Sequence, residues 1–517
     1  MENIASRPFQ ISVLLLLSSL TICIGGAAFT GIPYPSLHDE FSYLLASDTF
    51  ASGRITNPTH PFWHHFETMH VLHHPTYQSK YPPAQGLILA IGQLIWHPIL
   101  GVWLSAGFMI VAIYWMLRGF LNPSWALIGS ILALFQLLIK ADFVSFDIFM
   151  AGYWTQSYWG GTVAATGGAM FFGALPRLRN RPRYRDCLIM AFGIIILANS
   201  RPYEGFVMVS ITALLIIIWL VRRTKEQHIT KAIRRPILLA CVVLAFAAGF
   251  ITFYNYRVTG DPLKLPWLLY HEQYRITPGF IWQQPSNNIP EYRSPTLRFF
   301  HLAVEPPMLS RHKTYTGFFK QTKEKLVKLW WFFLGPILTI PFLLLPRVRN
   351  PWILSVGIVC AFVIISDLLT FNLSPHHTAP ITSLIVLLIT QGMRQLTTIK
   401  VDSYKAGVAV SFMIVIALLV QMLASLPSSS RNYSEFNNKH SPRLKCERSL
   451  KDKYGGQKLL VFVRYMPSHS VHSEWVYNKA DIDSSGIVWA HDLGTELNNK
   501  LKEYFADRKS IKITVFD

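Results

Sequence analysis

The sequence predicts an all-α polytopic membrane bundle of about eleven transmembrane helices, followed by a small soluble α/β domain. Hydrophobic residues make up 51% of the chain and charged residues only 15%, whereas a typical soluble domain carries about a quarter charged residues. Apolar runs recur along most of the chain, and many approach the roughly 20 residues that cross a bilayer. The net charge of +20 lies mainly in short segments between these runs. This distribution is typical of membrane orientation and not of nucleic-acid binding.

The predicted spans begin with residues 11–30. We interpret this first span as an anchor and not as a cleaved signal peptide, because no convincing small-residue cleavage site follows it. The further apolar stretches, several of them short, are residues 99–117, 125–141, 161–175, 187–199, 205–221, 237–253, 330–345, 352–371, 379–393 and 406–426. Short helices of this kind persist where they line a cavity or pack against other helices.

Basic residues predict the orientation of the bundle. They concentrate in residues 177–185, 222–235, 347–349 and 394–405. With the N-terminus inside, eleven crossings place all four segments in the cytoplasm, as the positive-inside rule requires. The same assignment places the C-terminus on the periplasmic or extracellular side.

This topology divides the chain into two predicted domains. Residues 1–426 form the transmembrane domain, whose large outside loops cover about residues 31–98 and 254–328. Residues 427–517 form a soluble extracytoplasmic domain, in which alternating apolar residues predict strands and a helix. These elements are predicted at residues 459–465, 488–490 and 511–516 for the strands and 493–505 for the helix. The domain contains neither a GxGxxG nor a Walker motif, so its sequence does not indicate nucleotide binding.

Two adjacent carboxylates, Asp39 and Glu40, follow the first predicted span. A carboxylate at the outer membrane boundary can act as a general base on an acceptor hydroxyl. Neighbouring residues on a helix point about 100° apart, so we expect only one of the two to face a site. Ser36 and Asp39 also match a helix-start pattern, with Asp39 at the positive end of the helix. Both roles are open at this point, and they do not exclude each other.

A second candidate segment, YQSKYPPAQG at residues 77–86, leads into an apolar helix predicted at residues 87–96. This helix is too short to span a bilayer, and we predict that it lies at the membrane interface. Lys80 would then stand between two tyrosines at the level of the lipid headgroups, as a candidate phosphate-binding residue. The alternative is a lysine that extends to the interface beside an aromatic belt.

The order of these features resembles the C-type (GT-C) membrane glycosyltransferases. Asp39-Glu40 follows the first membrane helix, a long loop comes next, and Tyr81-Pro82-Pro83 precedes a juxtamembrane helix. The chain looks most similar to protein O-mannosyltransferases, aminoarabinose transferases and related bacterial polyprenyl-phosphate-sugar transferases. In topology the resemblance covers the predicted transmembrane domain, and at the residue level it rests on these two motifs.

The resemblance implies transfer of a sugar from a polyprenyl-phosphate donor to an acceptor glycan, lipid or protein outside the cytoplasm, with inversion at the anomeric carbon. It implies that Asp39 is the catalytic base or orients the acceptor, with Glu40 beside it. We predict that Asp39 is the base and that Glu40 assists or orients. The resemblance also implies a protein of the bacterial inner (plasma) membrane and no required cofactor. The charge of the departing phosphate must be stabilised by cations, for which arginine is the best suited side chain.

Further candidate phosphate contacts lie outside the first loop. Arg201 separates two short apolar helices, where a charge is costly without a partner or a function. A structural pair with Glu204 is the alternative. Arg257 follows the predicted seventh span, where an interface anchor is the alternative. His376 and His377 occupy a predicted outer turn and can donate hydrogen bonds to phosphate or bind metal, unless they only fill the turn.

Histidines crowd the first outside loop. Of the 18 histidines in the chain, six lie between residues 60 and 74, together with Glu67. These side chains could supply a divalent metal site, and Glu67-x-x-His70 matches half of a carboxylate di-metal motif. No second half and no HExxH motif is present in the sequence. A loop that binds no metal is the alternative, and we predict that no metal is required.

We therefore predict a membrane glycosyltransferase, with two alternatives. A secondary transporter would fit the short, interrupted helices and Arg201, although the large outside loops and the absence of a visible internal repeat argue against it. A non-enzymatic membrane scaffold would use its C-terminal domain to recruit a partner.

Overall fold

The chain is described by a computed structural model that covers residues 7–35, 37–138, 153–222, 227–434, 441–467 and 469–516. It is mostly helical and contains two small sheets. Two compact units are present. The first unit comprises Met1–Gly31, Val102–Gly249 and Thr316–Asn432. The second unit comprises Ile32–Gly101, Phe250–Tyr315 and Tyr433–Asp517.

The helices are numbered here in chain order over the described residues. They are α1 (Pro8–Thr30), α2 (His38–Ala51), α3 (Pro83–Ile95), α4 (Pro98–Phe120), α5 (Pro123–Leu138), α6 (Thr162–Asn180), α7 (Tyr184–Ala198), α8 (Pro202–Arg222), α9 (Gln227–Thr259), α10 (Pro266–Tyr274), α11 (Pro295–Phe299), α12 (Glu305–Ser310), α13 (Tyr315–Phe333), α14 (Gly335–Phe342), α15 (Pro351–Leu368), α16 (Thr382–Leu396), α17 (Ala406–Ser434), α18 (Pro442–Tyr454) and α19 (Thr495–Tyr504). A short π-helix, Phe300–Val304, separates α11 from α12.

The helices long and apolar enough to cross a membrane establish a multi-pass integral membrane protein. Among the described residues there are five: α1, α4, α8, α15 and the Arg234–Thr259 part of α9. A sixth crossing results if the pair Tyr315–Phe333 and Gly335–Arg347, bent by 88°, counts as one span.

The predicted membrane bundle is thus confirmed, but the count of eleven spans is not. Several predicted spans are short helices in the structure. α7 has 15 residues and rises about 22 Å, less than the roughly 30 Å of hydrocarbon in a bilayer. The predicted span at residues 125–141 extends into residues that lie outside the described part of the chain.

The first unit is organised around α16. The side chains from Thr382 to Met393 are all buried, so this helix is surrounded by protein on every face. Gly168 in α6 allows a close approach to Pro380, just before α16, because a Cβ atom there would lie 1.9 Å from the carbonyl oxygen of Pro380. Burial of α16 within the bundle explains why 15 residues suffice for it.

The N-terminal part of the second unit is a helical hairpin beside a small sheet. Strands β1 (Asn57–Pro58), β2 (Val71–Leu72) and β3 (Thr76–Ser79) form an antiparallel sheet in the order β1-β3-β2. Helices α2 and α3 pack closely where Gly86 meets Ala46, because a Cβ atom on Gly86 would lie 2.6 Å from the Ala46 Cβ. Pro83 begins α3, a position where proline is favoured because its missing N–H would have no helical partner.

The C-terminal part of the second unit is the predicted α/β element. Strands β4 (Leu459–Tyr465), β5 (Ile487–His491) and β6 (Lys509–Val515) form a parallel sheet in the order β5-β4-β6. The apolar run of β4 is buried from Leu459 to Val463, as a strand covered on both faces requires.

One hydrophobic core joins the two parts of this unit. Leu45, Phe66 and Tyr77 of the first loop pack in the same cluster as Phe462 and Val488. The first loop and the C-terminal segment therefore share a core. Our division of the chain between residues 426 and 427 into two domains stays a prediction.

Candidate active site

The register of the small sheet brings His70 and Lys80 together. Val71 pairs with Ser79 across β2 and β3, so the next position places His70 opposite Lys80, and the Lys80 N–H donates to the His70 carbonyl at 3.3 Å. His70 has φ 64°, in the left-handed region that few non-glycine residues adopt. The Ser42 hydroxyl also donates to the His70 carbonyl, at 2.6 Å. Helix α2 thus holds this strained residue in place.

Asp39, His70 and Lys80 form a polar chain. Lys80 Nζ lies 2.8 Å from His70 Nδ1. An ammonium can only donate, so Nδ1 is the acceptor and the ring proton is on Nε2. His70 Nε2 lies 3.7 Å from Asp39 Oδ1, and the Tyr81 hydroxyl donates to the same oxygen. The side chain of Asp39 remains 38% exposed, so a carboxylate oriented by two groups is open to an acceptor.

Lys80 is buried, and charged groups of both signs lie around its ammonium. Its side chain is 6% exposed, and its ammonium lies 4.6 Å from the ring centroid of Tyr270. Burial, reinforced by the charge of Arg275, lowers the pKa of Lys80 to about 7, while Asp39 and Glu305 oppose that change. Burial and the charge of Lys80 hold the pKa of His70 well below its ordinary value, so its imidazole is neutral near pH 7.

An ion pair adjoins this chain. Arg275 contacts both carboxylate oxygens of Glu305, at 3.0 Å and 3.2 Å, and both side chains are 8% exposed. His301, in the π-helix, lies 2.7 Å from Glu305 and 3.3 Å from the Tyr270 hydroxyl. Although burial works against it, the hydrogen bond from His301 and the charge of Arg275 lower the pKa of Glu305. π-Helical turns occur frequently at functional sites.

Glu40 takes a different position from its neighbour Asp39. Its side chain is buried, at 4% exposure, and accepts a hydrogen bond from the Leu37 backbone N–H at 3.2 Å. Glu40 therefore satisfies a free donor at the start of α2. Asp39 lies in the first turn of the same helix, where the helix dipole favours negative charge. Ser36, the other residue of the predicted helix-start pattern, lies outside the described residues.

The first unit contains a separate group of charged residues. Arg201 lies between α7 and α8. Its positive charge attracts the carboxylates of Glu204 and Asp367. Asp367 is 1% exposed, and neither of its oxygens has a hydrogen-bond partner among the residues that the structure describes. Lys325 donates to the carbonyls of Leu368 and Thr370 at the same helix end, at 3.2 Å and 2.5 Å. Both alternatives for Arg201, the pair with Glu204 and the phosphate contact, are compatible with this arrangement.

His376 and His377 belong to the same group. Both rings lie within the first unit, and Tyr153 contacts His376 Nδ1. Burial and the charge of Arg201 lower the pKa of both histidines well below the ordinary value. Neutral imidazoles of this kind can still donate one hydrogen bond each. Arg257 is exposed near the end of α9 in the second unit.

The first-loop histidines have separate surroundings. His60 lies 3.0 Å from Asp483, His73 accepts from the Thr68 backbone N–H at 3.3 Å, and His70 contacts Lys80. Among the described residues, no group of three or more His, Cys, Asp or Glu side chains is arranged to hold a metal ion. The possible divalent metal site in this loop is untested, and our prediction that no metal is required stays a prediction.

The sequence did not predict that several residues of this cluster lie together. Tyr81 was noted only as part of a motif, and His70 only as a possible metal ligand. Arg275 and Glu305 carried no motif and are 30 positions apart. Only the fold brings these residues together.

Comparison with known proteins supports the fold. No protein-family model and no curated protein matches the chain. ArnT from Cupriavidus metallidurans, an aminoarabinose transferase solved bound to undecaprenyl phosphate, is similar with a TM-score of 0.53 and 12% identity, over 96% of this chain and 89% of that chain. The apo structure of the same ArnT is similar with a TM-score of 0.52 and 12% identity, over 97% of this chain and 92% of that chain. The oligosaccharyltransferase AglB from Archaeoglobus fulgidus was solved in complex with an inhibitory peptide and a dolichol-phosphate. It has a TM-score of 0.48 and 11% identity, over 92% of this chain and 64% of that chain.

The likeness to the two ArnT structures shows the fold. The chain has the fold of a C-type membrane glycosyltransferase, and the resemblance drawn from Asp39-Glu40 and Tyr81-Pro82-Pro83 is confirmed at the level of the fold. Within that class, its architecture is similar to that of ArnT over nearly the whole length of both chains.

Proposed function

We propose that this protein is an inverting glycosyltransferase that moves a sugar from a polyprenyl-phosphate carrier to an extracytoplasmic acceptor. The observation that carries the proposal is the polar chain of Asp39, His70 and Lys80, in which His70 is hydrogen-bonded to Lys80 and its Nε2 lies 3.7 Å from Asp39 Oδ1. It joins a partly exposed carboxylate, suited to a base, to a buried cation suited to phosphate. The binding of undecaprenyl phosphate by ArnT, whose fold is similar, supports the same class of carrier.

Asp39 is the proposed base. Its carboxylate accepts the proton of the acceptor hydroxyl while the hydroxyl oxygen forms a bond to the anomeric carbon. The bond between that carbon and the phosphate oxygen breaks, and its electron pair leaves with the carrier phosphate. Tyr81 and His70 orient the carboxylate, and such preorientation contributes to catalysis because the reacting groups need no rearrangement.

Lys80 is the proposed contact for the departing phosphate. A cation in a site of low dielectric stabilises negative charge that develops during the reaction more strongly than it would in water. The ion pair of Arg275 with Glu305 borders Lys80 and contributes to the potential around its ammonium. Arg201, Arg257, His376 and His377 remain proposed secondary phosphate contacts. Glu40 is proposed to orient the start of α2 through its contact with Leu37.

Reconstitution tests this function. The purified protein in liposomes receives a polyprenyl-phosphate-linked sugar and a pool of acceptors, and mass spectrometry follows both the sugar and the freed carrier phosphate. We expect sugar transfer with equimolar release of polyprenyl phosphate. Uptake of a solute without sugar transfer would instead identify a transporter. Lipid and glycan profiles that are unchanged on deletion of the gene would contradict the enzyme proposal and favour a scaffold.

A further inference from the structure

A cavity in the first unit has the dimensions of a ligand site. Its volume is about 580 Å³, within the range of small-molecule pockets. Helices α6, α7, α8, α9 and α15 contribute its walls, and most of the lining side chains are aliphatic or aromatic. Because the walls are apolar, water is a poor occupant. A hydrocarbon chain is a better one.

The cavity lies at one end of the helices that form it. Arg179 is in the last turn of α6, Trp219 is in the last turn of α8, and Trp352 is in the first turn of α15. Arg201 and Asp367 lie at the opposite ends of α8 and α15. Since α8 has 21 residues, the two ends are separated by about 30 Å. The cavity is therefore distinct from the charged group around Arg201.

Arg179 places a positive charge at the opening of this cavity. Among the described residues that line it, Arg179 is the one charged side chain. Its guanidinium lies 5.1 Å from the ring centroid of Trp219 and 5.6 Å from that of Trp352. Within the described part of the chain, it forms no salt bridge with a carboxylate. Arg179 is only partly exposed, and a basic side chain near the membrane surface attracts anionic lipid headgroups, so a ligand that supplies negative charge is favoured here.

The hydroxyl groups that line the cavity donate within their own helices, that of Ser355 to the Pro351 carbonyl at 3.1 Å. The Thr212 hydroxyl donates to the Met208 carbonyl of its own helix at 2.7 Å. The side-chain oxygen of Asn350 accepts from the Trp352 backbone N–H at 3.0 Å. An occupant with an apolar chain and one anionic head matches this arrangement, whereas a soluble polar ligand does not.

We propose that this cavity binds one acyl chain of an anionic phospholipid, whose phosphate pairs with Arg179. The guanidinium fork matches phosphate oxygens, and the flanking tryptophans suit the headgroup level of a bilayer. The site is independent of the proposed transfer reaction, because none of its residues belongs to the cluster around Asp39.

Lipid retention tests the proposal. The full-length protein is purified in mild detergent, and the lipids that remain bound are extracted and counted by mass spectrometry. Arg179→Gln removes the charge at the mouth, and Arg181→Gln removes the same charge from an exposed arginine of the same loop. Ile216→Trp fills the cavity without changing charge. Thermal unfolding with added phosphatidylglycerol or phosphatidylcholine gives a second readout for each protein.

We expect the wild type and Arg181→Gln to retain about one phosphatidylglycerol per chain and to unfold at higher temperature when it is added. Arg179→Gln should bind it about tenfold more weakly, as expected for loss of a charged hydrogen bond, and Ile216→Trp should lose it as well. Equal retention by Arg179→Gln and Arg181→Gln would overturn the proposal. Preferential retention of phosphatidylcholine or of polyprenyl phosphate would overturn it too.

Discussion

Lys80 Nζ lies 2.8 Å from Nδ1 of His70, and while Lys80 is charged this contact places the imidazole proton on Nε2, the nitrogen that faces Asp39. The candidate base and the candidate phosphate-binding cation are thus coupled through one neutral histidine. A change in either charge therefore alters the environment of the other.

Binding of the carrier phosphate should weaken as the pH rises above 7. Burial lowers the pKa of Lys80 to about 7, so the free protein loses the positive charge above that value, whereas a bound phosphate favours the charged form. Between the free and bound pKa values, affinity falls by up to about tenfold per pH unit. Calorimetric titration with polyprenyl phosphate between pH 7 and 9 measures this dependence.

Lys80→Arg provides the matched control for that titration. Arginine stays charged throughout this range, so the variant should show a flat pH dependence if it folds. Lys264→Arg, at an exposed lysine paired with Glu272, should behave as the wild type. A slope that is the same in the wild type and in Lys80→Arg would exclude Lys80 as its source.

Tyr81→Phe should slow sugar transfer and leave carrier affinity nearly unchanged. The variant removes the hydroxyl that donates to Asp39 and keeps the ring that stacks on Tyr43 at 4.5 Å. Loss of one hydrogen bond to a charged group corresponds to about tenfold in rate. Steady-state kinetics with a lipid-linked sugar separate kcat from KM. A change confined to KM would show that Tyr81 acts on binding and does not orient the carboxylate.

The buried ion pair of Arg275 with Glu305 should contribute strongly to stability. Glu305→Gln leaves a buried guanidinium without its charge partner, which typically costs about 3–5 kcal/mol. Thermal unfolding in detergent measures the loss. Glu272→Gln is the matched control, because Glu272 is 57% exposed in its pair with Lys264 and such pairs contribute about 0–1 kcal/mol. Equal effects of the two substitutions would contradict the structural role of the buried pair.

Acid should loosen the C-terminal segment from the first loop. His38 contacts the Tyr477 hydroxyl at 2.6 Å and the Val471 carbonyl at 2.8 Å, and burial lowers its pKa to about 4. Burial also lowers the pKa of His65 to about 4. The unfolded chain therefore binds more protons between about pH 4 and 6.5, so stability falls as the pH is lowered through this range.

Limited proteolysis of the C-terminal segment between pH 4 and 7 tests this prediction. Cleavage should increase toward acid in the wild type. His74→Gln, at an exposed histidine of the same loop, should leave that increase unchanged, whereas His38→Gln should reduce it. Cleavage that is independent of pH would show that these histidines do not link the two segments.

The sequence was sufficient to predict the membrane fold and to single out two members of the cluster around His70. Asp39 and Lys80 could be singled out because Asp39 follows the first span and Lys80 precedes the Tyr81-Pro82-Pro83 motif. Both signals are local in the sequence. The prediction that only one acidic residue faces the site is consistent with the structure, where Asp39 is partly exposed and Glu40 is buried. The α/β element was identifiable for the same reason, since its strands are continuous apolar runs.

Long-range contacts explain what was missed. His70 meets Lys80 through strand register, and Arg275 meets Glu305 because α10 is followed by a loop that returns to the π-helix and α12. No local pattern encodes either contact. The count of eleven spans is not confirmed, because hydropathy registers apolar helices that are buried by other helices, such as α16, in the same way as those that face lipid.

The behaviour of Asp39→Asn tests the central claim most directly. The measurement is the rate of sugar transfer from a polyprenyl-phosphate donor together with the Kd for polyprenyl phosphate, in the wild type, Asp39→Asn and Glu40→Gln. We predict that Asp39→Asn slows transfer by at least about a hundredfold, the contribution of a general base, and retains carrier binding, whereas Glu40→Gln slows it far less. Transfer by Asp39→Asn at the wild-type rate would contradict the account.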